Sequence, residues 1–408
     1  MTTEVAALVV FALTYLAMAL GRIPGLKLDR AGAALAGAAA MIACGAIPLD
    51  QAYRAIDLGT LTLLLGMMIV VGHLRLTGLF AAVAAWTAAR AHHPLVLLAA
   101  IVLVCGAFSA FLVNDTVCLV LTPLVCDLTA RLKRNPVPYL LGVAMASNAG
   151  SVATITGNPQ NIMIGSFSRI PYGQFAAALS PIAAVAMLLT FLLLALLFRR
   201  EFWTTQRLRE PDGCAASEAA PLRSWRHLKA VLVTLAMMAG FFAGLPPAEV
   251  AIAAAALMLI TRRVESSDVY AQIDWPLLAM FAGLFIVVAG IERWLLSAQV
   301  RTLVGALQLE RIPVLSALAV VLSNVVSNVP AVLVLKPFVA GLRDPRRAWL
   351  ALAMASTLAG NLTLVGSIAN LIVARIAESH GVRIRFGTYL KVGVPLTILS
   401  VLVGVLWL

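Results

Sequence analysis

The sequence predicts an all-α polytopic membrane protein made of two inverted repeats, each with five spans, one re-entrant hairpin and one broken helix. Three observations carry that expectation. Of the 408 residues, 62% are hydrophobic and only 12% charged, a balance that no water-soluble chain of this length sustains. Apolar stretches of about 18 residues or more, enough to cross a hydrocarbon core of roughly 30 Å, recur from end to end. Finally, four sequence blocks occur twice in the same order.

Asp57–Gly72 matches Asp274–Ala289 at an offset of 217, with the glycines Gly66 and Gly283 in step. Asn114–Pro123 matches Asn328–Pro337 at 214, and Ala144–Asn161 matches Ala353–Asn370 at 209. Tyr172, Gly173, Phe175 and Pro181 match Phe386, Gly387, Tyr389 and Pro395, again at 214. One such pair among so many apolar residues carries little. Four collinear pairs with shared polar punctuation indicate a duplicated half.

The first repeat takes residues 1–198. Its scaffold spans lie near 4–20, 31–48 and 58–74. The first is followed by Arg22 and further spans rather than by a small-residue cleavage site, so it stays in the mature chain. An interfacial arm (76–93) follows, then a hairpin (94–131), a broken span (138–166) and a last span (176–198). Residues 199–227 carry Arg, Glu, Pro, Asp and Ser, and read as an extramembrane linker. The second repeat, 228–408, places its hairpin at 312–341 and its broken helix at 347–376. An odd number of spans per half turns one half over relative to the other.

The net charge of +12 sits in short loops rather than on an aromatic-interleaved face, which fits membrane topology and excludes nucleic acid as partner. One side of the membrane collects 21 of the 30 Lys and Arg, including Arg75, Arg131, Lys133, Arg134, the linker and Arg383. That side is expected to be the cytoplasm, with both termini outside, although Arg343, Arg346 and Arg347 fall on the outer side. The five cysteines (Cys44, Cys105, Cys118, Cys126, Cys214) show no CxxC spacing and read as small hydrophobes, not as a disulfide framework or metal cluster.

Unpaired backbone groups are costly in lipid, so irregular sequence at membrane depth marks a site. Each half has two such places. At the first hairpin tip, Asn114, Asp115 and Thr116 interrupt two apolar runs, and an ionisable Asp near the midplane is a functional candidate in its own right. The second tip has Ser327, Asn328 and Pro330, where Pro330 suits the first turn of a helix. The first break holds Ser147, Asn148, Thr154, Thr156, Gly157, Asn158, Pro159 and Asn161; Gly157 permits unusual dihedrals and Pro159 removes a donor. The second has Ser356, Thr357, Asn361, Thr363, Gly366, Ser367 and Asn370, without the Pro. Freed carbonyls and Ser, Thr and Asn oxygens suit Na⁺, expected near Asn114, Asn148 and Gly157, while helix N-termini suit an anion. Helix capping and helix packing account for the same residues without a ligand. His73 reads as packed or interfacial, Lys336 as snorkelling to the outer surface, His92 and His93 as facing water, and Asp127 as interfacial.

The strings NDT…LTP, NAGSVATITGNPQNI, SNVPAVLVL and GSIANLIVARIA resemble the ion transporter superfamily, which includes arsenite permeases, NhaD-type sodium/proton antiporters and divalent anion/sodium symporters. They look most like its small YbiR-like, citrate-transporter-like bacterial inner-membrane proteins. The resemblance spans the chain except the linker. It implies a scaffold, a mobile transport domain of hairpins and broken helices, elevator-type movement and a homodimer. It also implies that the tips at Asn114–Thr116 and Ser327–Pro330 and the loops around Gly157 and Gly366 hold substrate and coupling ion. The divalent anion symporters carry Ser-Asn-Thr at both tips, whereas Asp115 and Val329-Pro330 stand here; the Asn-Asp pair looks more like the arsenite-permease branch.

The expectation is therefore an ion-coupled secondary transporter, driven by H⁺ or Na⁺, for a small carboxylate or inorganic oxyanion, with Asp115 as coupling group. Cation/proton antiport and arsenite or antimonite efflux are the alternatives. An intramembrane enzyme would need facing aspartates, a Ser with a His, or a metal cluster at depth, and the sequence offers one midplane Asp without such a partner. No Walker motif is present, which argues against ATP-driven transport, and no other cofactor is expected. Inverted broken helices argue against a channel.

Overall fold

The computed structural model describes residues 3–21, 27–88, 90–204, 208, 225–261, 264–297, 305 and 307–408. Among them the secondary structure is entirely helical. The first half contains α1 (Thr3–Leu20), α2 (Arg30–Ala43), α3 (Leu49–Ala55), α4 (Leu58–Leu76), α5 (Leu79–Ala88), α6 (Pro94–Phe111), α7 (Asn114–Arg131), α8 (Pro136–Ser151), α9 (Pro159–Ser168) and α10 (Tyr172–Leu197). After the short α11 (Arg199–Phe202), the second half contains α12 (Trp225–Phe242), α13 (Pro247–Leu259), α14 (Ser266–Tyr270), α15 (Trp275–Leu295), α16 (Ile312–Val326), α17 (Asn328–Val339), α18 (Pro345–Leu358), α19 (Ile368–Ser379) and α20 (Phe386–Trp407). Six of these helices are long and apolar enough to cross a membrane: α1, α4, α6, α10, α15 and α20. Leucines such as Leu13, Leu16, Leu192 and Leu402 stand exposed on α1, α10 and α20, as a lipid-facing surface requires.

The halves interlock by exchanged contacts. Helix α4 packs on α13, and its counterpart α15 packs on α2. Both seams depend on a missing side chain. A Cβ on Gly66 would stand 2.7 Å from the Ala251 backbone carbon of α13, and a Cβ on Gly283 would stand 2.7 Å from that of Ala34 on α2. Asp57 and Asp274 start α4 and α15 in the same way, each carboxylate accepting a backbone amide three residues on. Around the centre, α6 packs on α8 as α16 does on α18. The return helix of each hairpin crosses to the other half, α7 onto α19 and α17 onto α9.

Some boundaries differ from the sequence reading, for local reasons. The second span, read as 31–48, ends as a helix at Ala43, because Gly45 adopts a left-handed φ of +71° and Pro48 follows. The last span of the first half starts earlier, at Tyr172, with Pro171 as its cap. Most of the expected linker, with Cys214, lies outside the described residues, as do Arg22, Arg262 and Arg263 of the charge count. The start of that stretch is packed rather than free. Phe202 is buried edge-on against Tyr139, and Arg134 Nε pairs with Glu201 Oε1 at 2.8 Å. His93 does not simply face water: its Nε2 lies 2.9 Å from the Thr204 carbonyl, and its Nδ1 caps Leu95 of α6.

Candidate functional site

Two helix breaks meet at the centre, and each is held open by an asparagine. In the first half α8 ends at Ser151, a 3₁₀ turn covers Ile155–Gly157, and Asn158 caps α9 by accepting the Asn161 amide at 2.8 Å. Gly157 is required by close approach, since a Cβ there would lie 2.2 Å from the Ser151 carbonyl oxygen. Asn161 Nδ2 donates to the carbonyls of Ser151 and Thr154, at 3.1 and 3.0 Å, and so satisfies groups that the break leaves unpaired. The second half repeats the device. A 3₁₀ turn covers Ala359–Asn361, Ser367 caps α19, and Asn370 Nδ2 donates to the carbonyls of Gly360 and Thr363 at 2.6 and 3.2 Å. In both halves the asparagine reaches back ten and seven residues, so the Pro is not what makes the break.

The breaks are joined across the halves. Asn148 Nδ2 donates to Asn361 Oδ1 at 2.9 Å and Asn370 Oδ1 at 3.1 Å, while its Oδ1 accepts from Asn114 Nδ2 and Ser367 Oγ. Thr357, the counterpart of Asn148, reaches the other way: its Oγ1 donates to Asn161 Oδ1 at 3.3 Å and accepts from Asn158 and Gln160. All these side chains are buried. In a water-free interior such a network is strong when complete, and it fixes one arrangement of the breaks.

Beside the network lies a cavity of about 20 Å³, room for one small species. Asn114 and Asp115 line it from the first tip, Ser327, Asn328 and Val329 from the second, Pro159, Gln160, Ser367 and Ile368 from the breaks, and Leu277 from α15. These residues begin α7, α17, α9 and α19, so four helix N-termini converge there. Their free amides and dipoles favour an anion or a polar oxygen. Two acceptors remain open: Asn114 Oδ1 and Asn328 Oδ1 are buried and have no hydrogen-bond partner. Asp115 stands in the first turn of α7, on the wall of the cavity. No Lys or Arg lines the cavity. The second tip is also strained, because Ser327 holds φ +79° and ψ 159°, a region that suits glycine, whereas Val113 at the first tip is ordinary.

Not every residue expected at the site reaches this cavity. Thr154 donates to the Ala110 carbonyl and Thr363 donates to Asn324, which fixes the breaks to the hairpins from behind, while Thr156 hydrogen-bonds Tyr172 at the start of α10. Ser147 donates to the Asn114 carbonyl and Ser356 back-bonds its own helix. The Pro330 carbonyl accepts from Tyr15, and Thr116 and Gly366 lie off the lining. Conversely Gln160, Leu277 and Ile368 line the cavity although the sequence reading does not name them. Gln160 stands between Pro159 and Asn161 of the first break, where the sequence already marks it, whereas Leu277 and Ile368 carry no signal in a chain so rich in apolar residues. Lys336 does more than snorkel, its Nζ standing 4.6 Å over the Phe167 ring, and His73 is buried with its Nδ1 unpartnered.

A family model described as citrate transporter (CitMHS) matches residues 8–344. The chain is 33% identical over 428 residues to the 46 kDa membrane protein of Mycobacterium leprae (strain TN), covering 99% of this chain and 98% of the relative. It is 28% identical to the silicon efflux transporter LSI3 of Oryza sativa subsp. japonica, over 94% of this chain and 93% of that one. The crystal structure of the Alcanivorax borkumensis YdaH transporter shares the fold, with a TM-score of 0.61 at 16% identity, covering 99% of this chain and 95% of that one.

Proposed function

Because the chain belongs to the citrate transporter family, we propose that this multi-pass membrane transporter is an ion-coupled carrier of a small inorganic oxyacid or its anion. The cavity between the two tips and the two breaks is the observation that supports it most. Four helix N-termini supply hydrogen-bond donors, and two open asparagine oxygens supply acceptors. A hydroxylated oxyacid uses both. A tricarboxylate such as citrate, at three negative charges, would need cationic partners that the lining lacks. The rice relative is named a silicon efflux transporter, and silicon in water is such an oxyacid.

Asp115 is the coupling group in this reading. Its proton binds on one side of the membrane and leaves on the other as the site alternates between them. Na⁺ is the second candidate, because Asn114 Oδ1, Asn328 Oδ1 and the Asp115 carboxylate are three oxygens around one small space. Helices α2, α4, α13 and α15 act as the scaffold of a homodimer in the inner membrane, and the hairpins and breaks form the moving part of an elevator. The halves are inverted, the linker is cytoplasmic and both termini are outside.

Proteoliposomes test the reading. Asp115→Asn is expected to abolish flux driven by a pH or Na⁺ gradient while the detergent melting temperature stays within a few degrees. Gradient-dependent flux persisting in that variant would sink the assignment. A thermal-shift panel of silicic acid, arsenite, phosphate, citrate and succinate, in Na⁺ against choline, identifies the substrate class; stabilisation by citrate alone would overturn the oxyacid.

A further inference from the structure

We infer that Thr60 becomes a contact of the transport site in the opposite state of the carrier, taking there the place that Leu277 holds in this structure. The inference rests on the alternating-access reading above and on the repeat. Asp57 accepts the Thr60 amide at 3.0 Å and Asp274 accepts the Leu277 amide at 2.9 Å, so the two residues occupy the same turn of equivalent helices.

Their surroundings differ. Leu277 lines the central cavity beside both hairpin tips. Thr60 instead lines a separate cleft of about 370 Å³, closed on its other sides by α9, the start of α10 and the α12–α13 turn. The packing differs in the same sense: α4 lies along α9, with Ser166 Oγ donating to Asp57 Oδ2 at 2.6 Å, whereas α15 lies along α17. The cavity therefore sits against the first turn of α15. From the first turn of α4 it is separated by the stretch of α9 between Pro159 and Ser166. If the halves exchange roles, α9 slides by about seven residues, roughly 10 Å at 1.5 Å each, and the tips arrive at Thr60. The wide cleft is the berth they would fill.

Thr60 itself supplies an independent sign. It is 1% exposed, and its Oγ1 has no hydrogen-bond partner. A buried hydroxyl without a partner is costly, and the equivalent position shows that leucine fits this turn. The hydroxyl gains a partner only when a polar group reaches it, and the arriving cavity brings Asp115, Asn328 and the bound oxyacid.

Two double-cysteine variants read the two states in native membranes, with the single variants controlling for the native cysteines. Leu277→Cys with Val329→Cys joins residues of the present cavity and is expected to cross-link at rest with a short bismaleimide. Thr60→Cys with Val329→Cys is expected to cross-link under an imposed pH or Na⁺ gradient, and each cross-link to stop flux. Thr60→Val should lower maximal flux about tenfold, the loss of one hydrogen bond, without lowering the melting temperature, and Thr60→Ser should restore it. Cross-linking of the first pair without the second overturns the inference. So does full flux in Thr60→Val, or a flux loss that tracks a lowered melting temperature and is not restored by Ser. The second pair is also read over hours without a gradient and without substrate, where thermal exchange alone samples the opposite state, so that cross-link stands apart from failure of the Asp115 assignment.

Discussion

At the scale of single residues, the centre depends on asparagines that do backbone work. Asn148 makes four side-chain hydrogen bonds, all to residues that hold a tip or a break. Asn148→Ala should cost about 3 kcal/mol, since it leaves several buried polar groups unpaired, and a lowered detergent melting temperature measures it. Ser327 predicts the opposite sign. Ser327→Gly removes a strained φ and should raise stability by about 1 kcal/mol, whereas Val113→Gly at the unstrained first tip should lower it; paired thermal melts compare them. These residues were partly legible in the sequence. Asn148, Asn161, Asn361 and Asn370 stand out because amides are out of place in an apolar run. Their partners do not, because Asn148 meets Asn370 only after the two halves have folded together. Asn324, which binds the Thr363 hydroxyl, is hidden in a run that reads as plain helix.

At the scale of elements, glycine decides where helices touch. Gly66 and Gly283 each admit the backbone of a partner helix from the other half. Gly66→Leu and Gly283→Leu should each destabilise by about 3 kcal/mol or more, in nearly equal measure, through overpacking that cannot relax against backbone; thermal melts and expression yield check the equality. The hairpin tips and breaks were readable because Asn, Gly and Pro punctuate apolar runs, and such punctuation ends helices on physical grounds. The early end of α2 was not read, although Gly45 and Pro48 announce it, because the apolar run continues across them. The pairing of α4 with α13 and of α15 with α2 was not readable at all. In lipid no amphipathic stripe marks the buried face, since both faces are apolar.

At the scale of the whole molecule, the two halves are alike in parts and unlike in setting. Ser166, bonded to Asp57, corresponds by the repeat to Arg375, and Asp57 corresponds to Asp274. Arg375 is exposed and forms no ion pair among the described residues. If the carrier alternates as proposed above, Arg375 and Asp274 should approach one another in the opposite state. Asp274→Cys with Arg375→Cys is expected to cross-link under a gradient while Asp57→Cys with Ser166→Cys cross-links at rest. The reverse pattern would show that the resting state is the other one.

The exchanged helix contacts also bear on how the chain is made. The face of α4 around Gly66 has its partner at Ala251, and that of α2 around Ala34 has its partner at Gly283, so neither can close until the opening helices of the second half, α13 and α15, have been synthesised. At ribosomal rates of about 5–20 residues per second the wait is roughly 10–50 s. Through that interval the first half rests in the bilayer with its helices formed but its seams filled by acyl chains, and completion of the fold is a displacement of lipid rather than of water.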